Sequence, residues 1–310
     1  MFNILLRRLV QAALTICVVV TLVFVLFSVI PGSFASSLQA DKRDVSAEVL
    51  QRLEQELGLN DPMPVRFGRY VAGLAQGDLG TSYATKRPVA DMLSGRIWAS
   101  FKLACAAMAF AVCIGLPLGF FAAMRQGSWL DTATMTIAVS GLSVPAFWAG
   151  LLLMYLFSLT LGWLPTFGYG AGGMSHLILP AITLGIAPMA LLARTTRAAV
   201  LETLGAEFIR TARSKGMSEQ RLVIHHLARN AFVLVLTTIG LQFGSMLGGS
   251  VVVEKLFAWP GVGSLLIDSV GNRDIPAVQG TVLVIVLFFL LINTLVDLAY
   301  LIVDPRIRYR

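Results

Sequence analysis

The chain has 310 residues, of which 56% are hydrophobic and 13% charged, with a mean hydropathy of +0.78 and a formal net charge of +7. A soluble domain carries roughly 25% charged residues, so the composition excludes an ordinary soluble enzyme and reads as an all-α integral membrane protein of several spans. The cationic surplus does not imply nucleic acid, because its distribution follows the membrane topology.

Arg7 and Arg8 precede the first apolar run, about Leu9 to Ile30. Ser33 and Ala35 offer small residues for signal-peptide cleavage, but the run is longer than the roughly 7–15 residues of a signal core, so a retained span is expected. Gly32 to Ile97 then forms an outer segment with eight Lys/Arg and eight Asp/Glu. In "VSAEVLQRLEQELGLNDP", Leu50, Leu53 and Leu57 recur at helical spacing before Gly58 and a turn at Asn60-Asp61-Pro62. "RFGRYVAGLAQGDLG" predicts a second short helix ending near Gly77. Together they read as an ordered cap, or as a docking surface for an extracytoplasmic partner.

Five more spans are expected at about 99–124, 133–161, 176–196, 230–253 and 277–303. Pro145 interrupts the third and predicts a kink or break. Lys102, near the outer end of the second, can snorkel. Cys17, Cys105 and Cys113 lie in apolar runs; the last two stand about 12 Å apart along one helix, too far to bridge. Six spans bring Arg7, Arg8, Arg125, the Arg194–Arg229 group, Arg306, Arg308 and Arg310 to one side. The positive-inside rule makes that side cytoplasmic, with both termini.

No phosphate loop, H-E-x-x-H or G-x-S-x-G motif is present. His225 and His226 are adjacent and His176 stands alone, so no metal-ligand spacing appears. No catalytic or metal residue is therefore expected. The main intramembrane acid is Asp297, one turn beyond Asn293, fit for helix packing or for function. In "TTIGLQFGSMLGGSVVV", Gly240, Gly244 and Gly248 recur every four residues and form a close-approach face. They either pack helices or border a path that Gln242 and Ser245 would line. Gly115 and Gly119 flank Pro117 in the second span in the same way.

Between the fourth and fifth spans stands the polar stretch "EFIRTARSKGMSEQR", Glu207 to Arg221. From composition it is either a basic inner loop touching anionic lipid or a handle for another protein. Ala212 is small enough for close approach, Gly216 permits a left-handed helix end, and Arg210, Arg213 and Lys215 can pair with carboxylates.

The segments "LLRRL", "ELGLNDP", "GDLGTSYATKRPVADML", "SGLSVPAFWAG", "LGWLPTFGYG", "ILPAITLG", "RTARSKGMSE", "VVVEKLFAWPGVGSLL", "RDIPAVQG" and "DPRIRYR" occur in this order. Through them the chain resembles, nearly end to end, the permease subunits of bacterial ABC importers for dipeptides, oligopeptides, glutathione and nickel chelates. Details such as "RPVADML" and "GGSVVVEK" look most like glutathione or peptide permeases. The resemblance implies a six-span subunit paired with a second homologous permease, two cytoplasmic ATPases that bind ATP and Mg, and a periplasmic or lipid-anchored binding protein. No cofactor is implied on this chain. The family's cytoplasmic E-A-A-x-x-x-G loop forms a helix that docks on an ATPase. Glu207, Arg210, Thr211, Ala212, Arg213, Lys215 and Gly216 fall there, with Arg210 where the pattern has Glu. A family proline expected near Leu234 is missing. The implied partition is 1–31 for the N-terminus and first span, 32–98 for the cap and 99–310 for the permease core, including a coupling region 197–229 and a periplasmic loop 254–276. The rival class is an ion-gradient-driven secondary transporter, which predicts internal repeats and intramembrane acid pairs. A scaffold or receptor without transport is a third class.

Overall fold

A computed structural model describes residues 2–29, 61–170, 173–223 and 229–303. The cap helix expected around Leu50–Leu57, the adjacent His225 and His226, and the basic tail at Arg306–Arg310 lie outside them. The helices are α1 Phe2–Val29, α2 Met63–Ala75, α3 Val89–Met124, α4 Trp129–Ser143, α5 Ala146–Leu153, α6 Met174–Leu204, α7 Glu207–Ser214, α8 Glu219–Leu222, α9 Arg229–Leu256, α10 Val262–Gly271 and α11 Ile275–Val303. A π-helical stretch, Met154–Thr160, continues α5. Among the described residues no strand forms beyond an isolated bridge between Thr81 and Pro88.

α1, α3, α6 and α11 are each long and apolar enough to cross a bilayer. Among the described residues there are up to six spans if two bent pairs each count as one. In one pair, α4 and the segment Ala146–Thr160 meet at 107°. The cause is local: Val144, pushed out of the helical region by the following proline, is extended at φ −85 and ψ 123, and Pro145 then stands as N-cap of α5. Of the kink or break expected here, the chain takes the break. The other pair lies within α9, bent by 55° between Leu234–Met246 and Gly248–Leu256.

The second span begins well before the expected Ala99. Asp91 and Met92 donate backbone N–H groups to the Pro88 carbonyl, and Asp91 sits in the first turn, where a negative charge suits the helix dipole. Val89 and Leu93 on these early turns are buried with Val262, Leu265 and Ala277. The added turns therefore belong to a packed apolar core.

The chain divides into two compact bodies, one of residues 1–99 and 261–288, the other of 100–260 and 289–310. In the first, the loop after α2 is fastened by Asp274. Its carboxylate accepts from the Ser82 hydroxyl at 2.5 Å and from the backbone N–H groups of Tyr83 at 3.0 Å and Ala84 at 3.4 Å. α2 ends as expected, just before Gly77 at φ +79.

In the second body α6 is the central helix. α3 crosses it on small residues: a Cβ on Gly115 would stand 2.6 Å from the Met189 carbonyl oxygen, and one on Gly119 would collide with that of Ala193. From the α6 side, Gly185 meets the Ala107 carbonyl in the same way. Ala138 of α4 is buried against Ala190 and Ala193.

Candidate functional site

The polar stretch after α6 folds into a hairpin of two short helices. Glu207 occupies the first turn of α7 and Arg213 the last, the favourable order for a helix dipole. Ile209 and Ala212, three residues apart, turn inward and pack on Leu222 of α8, with Met217 beside them. The Met217 N–H donates to the Ala212 carbonyl at 3.2 Å and the Gly216 N–H to that of Arg213 at 2.9 Å. Gly216 takes φ +74, which ends the helix without strain. The outward face carries Glu207, Arg210, Thr211, Arg213 and Lys215, all exposed. Arg210 lies 3.6 Å from Glu207, both largely in solvent. Ala212 differs from its sequence reading: its small side chain fits the hairpin's own interior and leaves the open face to its polar neighbours.

Just upstream lies an ion pair that the sequence reading did not identify. Arg197 of α6 donates Nε to Asp131 Oδ1 at 2.6 Å and Nη2 to Oδ2 at 2.7 Å. The Asp131 side chain is 6% exposed and that of Arg197 26%. The Gly127 N–H donates to the same carboxylate at 3.0 Å, and Ser128 caps α4 by accepting from the Asp131 N–H. The pair ties the start of α4 to the part of α6 that leads into α7. "SWLD" carries the spacing of a helix N-terminus, so the cap was readable. Its arginine, 66 positions away, was counted only as a topological charge.

The small-residue face of α9 meets α11 along part of its length. A Cβ on Gly240 would collide with Val296, and one on Gly244 would stand 3.1 Å from Asn293 Oδ1 and 3.4 Å from the Phe289 ring. A Cβ on Gly248, beside the bend, would meet no other described atom within 4 Å outside its own stretch of helix. Ser245 is exposed and donates to the Gln242 carbonyl at 2.9 Å; Gln242 is half-buried. Asp297 lies on α11, but its side chain is outside the described ones.

Glu254, at the end of α9, is the acid that the sequence reading passed over in favour of Asp297. It is fully buried, and one carboxylate oxygen accepts from the Ser100 hydroxyl at 2.6 Å and the Ser250 hydroxyl at 2.9 Å. The Trp259 N–H closes the following turn on the Glu254 carbonyl at 2.8 Å, and Trp259 is itself buried. Lys102 lies with Nζ 5.8 Å from the Tyr169 ring centroid, a cation–π contact that the sequence reading did not foresee. Among the described residues no group of three His, Cys, Asp or Glu side chains converges as metal ligands.

Comparison with known proteins adds three findings. The family profile described as "Binding-protein-dependent transport system inner membrane component" matches residues 115–309, and the profile for the N-terminal part of such components matches residues 1–104. The glutathione transport system permease protein GsiC of Pectobacterium atrosepticum is 46% identical over 310 residues, and that of Salmonella paratyphi A is 44% identical, each alignment covering 100% of both chains. Two solved structures share the fold. A chain of the MetNI methionine ABC transporter in an inward-facing conformation aligns with TM-score 0.59 at 17% identity, over 69% of this chain and 96% of that one. A chain of an amino acid ABC transporter aligns with TM-score 0.53 at 19% identity, over 68% and 93%.

Proposed function

The chain belongs to the binding-protein-dependent transport system inner membrane components, and we propose that it forms, with a second related permease, the path by which a peptide or glutathione-like solute crosses the inner membrane. The subunit is a multi-pass permease. The solute is proposed from full-length similarity to glutathione permeases. A periplasmic or lipid-anchored binding protein delivers it. Two cytoplasmic ATPases bind ATP and Mg and supply the energy, and both termini face them.

Residues 197–229 then act as the coupling region, 32–98 as the outer cap and 254–276 as a periplasmic loop. The observation that carries this reading is the two-sided character of α7. One side is anchored by Ile209 and Ala212 on Leu222, and the other presents Arg210, Thr211, Arg213 and Lys215. A short element fixed to the permease on one face and charged on the other can be pushed by a partner as a unit. The Asp131–Arg197 pair links the end of α6 to α4, which supports passage of that movement into the spans.

The test is charge reversal on the open face. Arg210→Glu with Lys215→Glu is expected to release the ATPases during purification and to stop uptake, with permease levels in the membrane unchanged. Undiminished ATPase retention and uptake at the wild-type rate would refute the assignment.

A further inference from the structure

The helices of the second body leave a groove of about 400 Å³ between Pro117 and Phe121 of α3, Thr196 and Val200 of α6, and Ala231 and Val235 of α9. α3 and α6 close on each other there, a Cβ on Gly119 standing 2.8 Å from that of Thr196. Val200, Ala231 and Val235 form buried walls, while Phe121 is 66% exposed at the rim. Among the lining residues only Thr196 has a polar side chain. Its hydroxyl oxygen is shielded and has no partner among the described residues. The groove surface therefore offers no side-chain hydrogen bond to water or to a polar solute.

The depth of the groove makes hydrocarbon its surroundings. α3 and α6 are both long and apolar enough to span a bilayer. Arg125 directly follows α3, its N–H on the Phe121 carbonyl at 3.2 Å, and Trp129 comes next with 76% of its surface exposed. An exposed tryptophan close to an arginine at a span end marks headgroup level. Phe121 and Pro117 stand four and eight residues before Arg125, about 6 and 12 Å deeper along the helix. Those depths fall within the hydrocarbon of one leaflet, about 15 Å thick.

The rim on that side is cationic. Arg125 is exposed, and its guanidinium has no hydrogen bond or ion pair among the described residues. Asp131 is already matched by Arg197, so that pair adds no net charge. Glu202 lies two residues past Val200, roughly 200° round α6 and away from the groove. Ala231 stands in the first turn of α9, which brings the positive end of that helix dipole to the same place.

We propose that this groove is a retained site for one anionic phospholipid, with an acyl chain between α3, α6 and α9 and the headgroup on Arg125. An apolar slot alone would accept any lipid tail; the unmatched guanidinium selects the charge of the headgroup. The inference goes beyond the import reading and holds whatever solute crosses.

The experiment uses the full chain with the subunits that co-purify with it, in vesicles that mix phosphatidylcholine and phosphatidylglycerol. One lipid or the other is brominated on its acyl chains, because bromine quenches tryptophan on contact. Phe121→Trp supplies a reporter at the groove's rim, its emission read as the difference from the wild-type protein. Brominated phosphatidylglycerol should quench it at about fivefold lower mole fraction than brominated phosphatidylcholine. Arg125→Gln in the reporter background should bring the two lipids level, and Arg125→Lys should keep the preference. A control reporter, Leu22→Trp on the exposed face of α1, should be quenched alike by both. A groove reporter quenched equally by both lipids, or a preference that survives Arg125→Gln, overturns the proposal. So does a reporter that neither lipid quenches, which would put a helix of a partner subunit in the groove. Lipid carried through detergent exchange gives a second reading on the chain without the reporter, counted by mass spectrometry. Anionic phospholipid per permease should drop severalfold in Arg125→Gln while the melting temperature holds, and equal retention overturns the proposal as well.

Discussion

Arg197 holds Asp131 through two nitrogens at 2.6 and 2.7 Å, in a fork that only a guanidinium and a carboxylate can make. The carboxylate is almost wholly shielded, so without the arginine it would be a buried charge lacking its counterpart, whereas the guanidinium keeps some exposure to solvent. Arg197→Met should lower stability by about 3–5 kcal/mol, and Asp131→Leu by less. The double variant should regain most of that loss, because an apolar pair leaves no orphaned charge. Thermal unfolding of the purified subunit measures all three. Arg197→Lys should fall between, since an ammonium cannot engage both oxygens in that geometry.

Gly216 stands in open space at φ +74, so a substitution there is a matter of backbone strain alone. Gly216→Ala should cost about 1–2 kcal/mol locally, and Gly216→Asn less. Gly216→Val should be worst, since a β-branched residue adopts this region least readily. Proteolysis at the α7–α8 turn should rise in that order, and ATP-driven uptake should fall with it.

The stripe in α9 offers a comparison on a single face. Gly240→Ala places a methyl into Val296 and should destabilise by about 1–3 kcal/mol. Gly248→Ala meets nothing within 4 Å and should stay within about 0.5 kcal/mol of wild type. Equal effects at the two positions in a melting assay would show that the stripe is not read residue by residue.

Glu254 collects two hydroxyls, one from α3 and one from its own helix. Both bond the same oxygen, so Glu254→Gln keeps an acceptor for the two of them and should be mild. Glu254→Leu removes both and leaves Ser100 and Ser250 buried without that partner, a loss of about 1–3 kcal/mol. Adding Ser100→Ala and Ser250→Ala to Glu254→Leu should recover part of the loss.

The spans were legible because the bilayer demands long apolar runs and the chain supplies them. The break at Pro145 and the turn at Gly216 were legible because each follows from one residue's own backbone preference. That Arg210, Arg213 and Lys215 offer charge to a partner was readable from their chemistry, whereas the inward turn of Ala212 depends on Leu222 and was not. The partners of Asp131 and Glu254 were not. Each lies on another helix, and a sequence gives a charge its sign but not its distant neighbour. The early start of α3 escaped for a related reason. Arg96 and Asp91 look like loop residues by composition, whereas Val89 and Leu93 gain their burial from α10 and α11, distant in the chain.

The turn of the chain at Pro145 also says something about its surroundings. Trp148 and Ala149 find the Pro145 carbonyl at 3.0 and 3.1 Å, so part of the new helix start is satisfied within the backbone. The end of α4 cannot complete its own ladder across a 107° corner, because the residues that would continue it point elsewhere. Hydrocarbon tails offer nothing to such peptide groups. This corner must therefore be kept wet or covered by protein, and a labelling reagent that partitions into the lipid core should modify a cysteine placed there more slowly than one on the smooth outer face of α1.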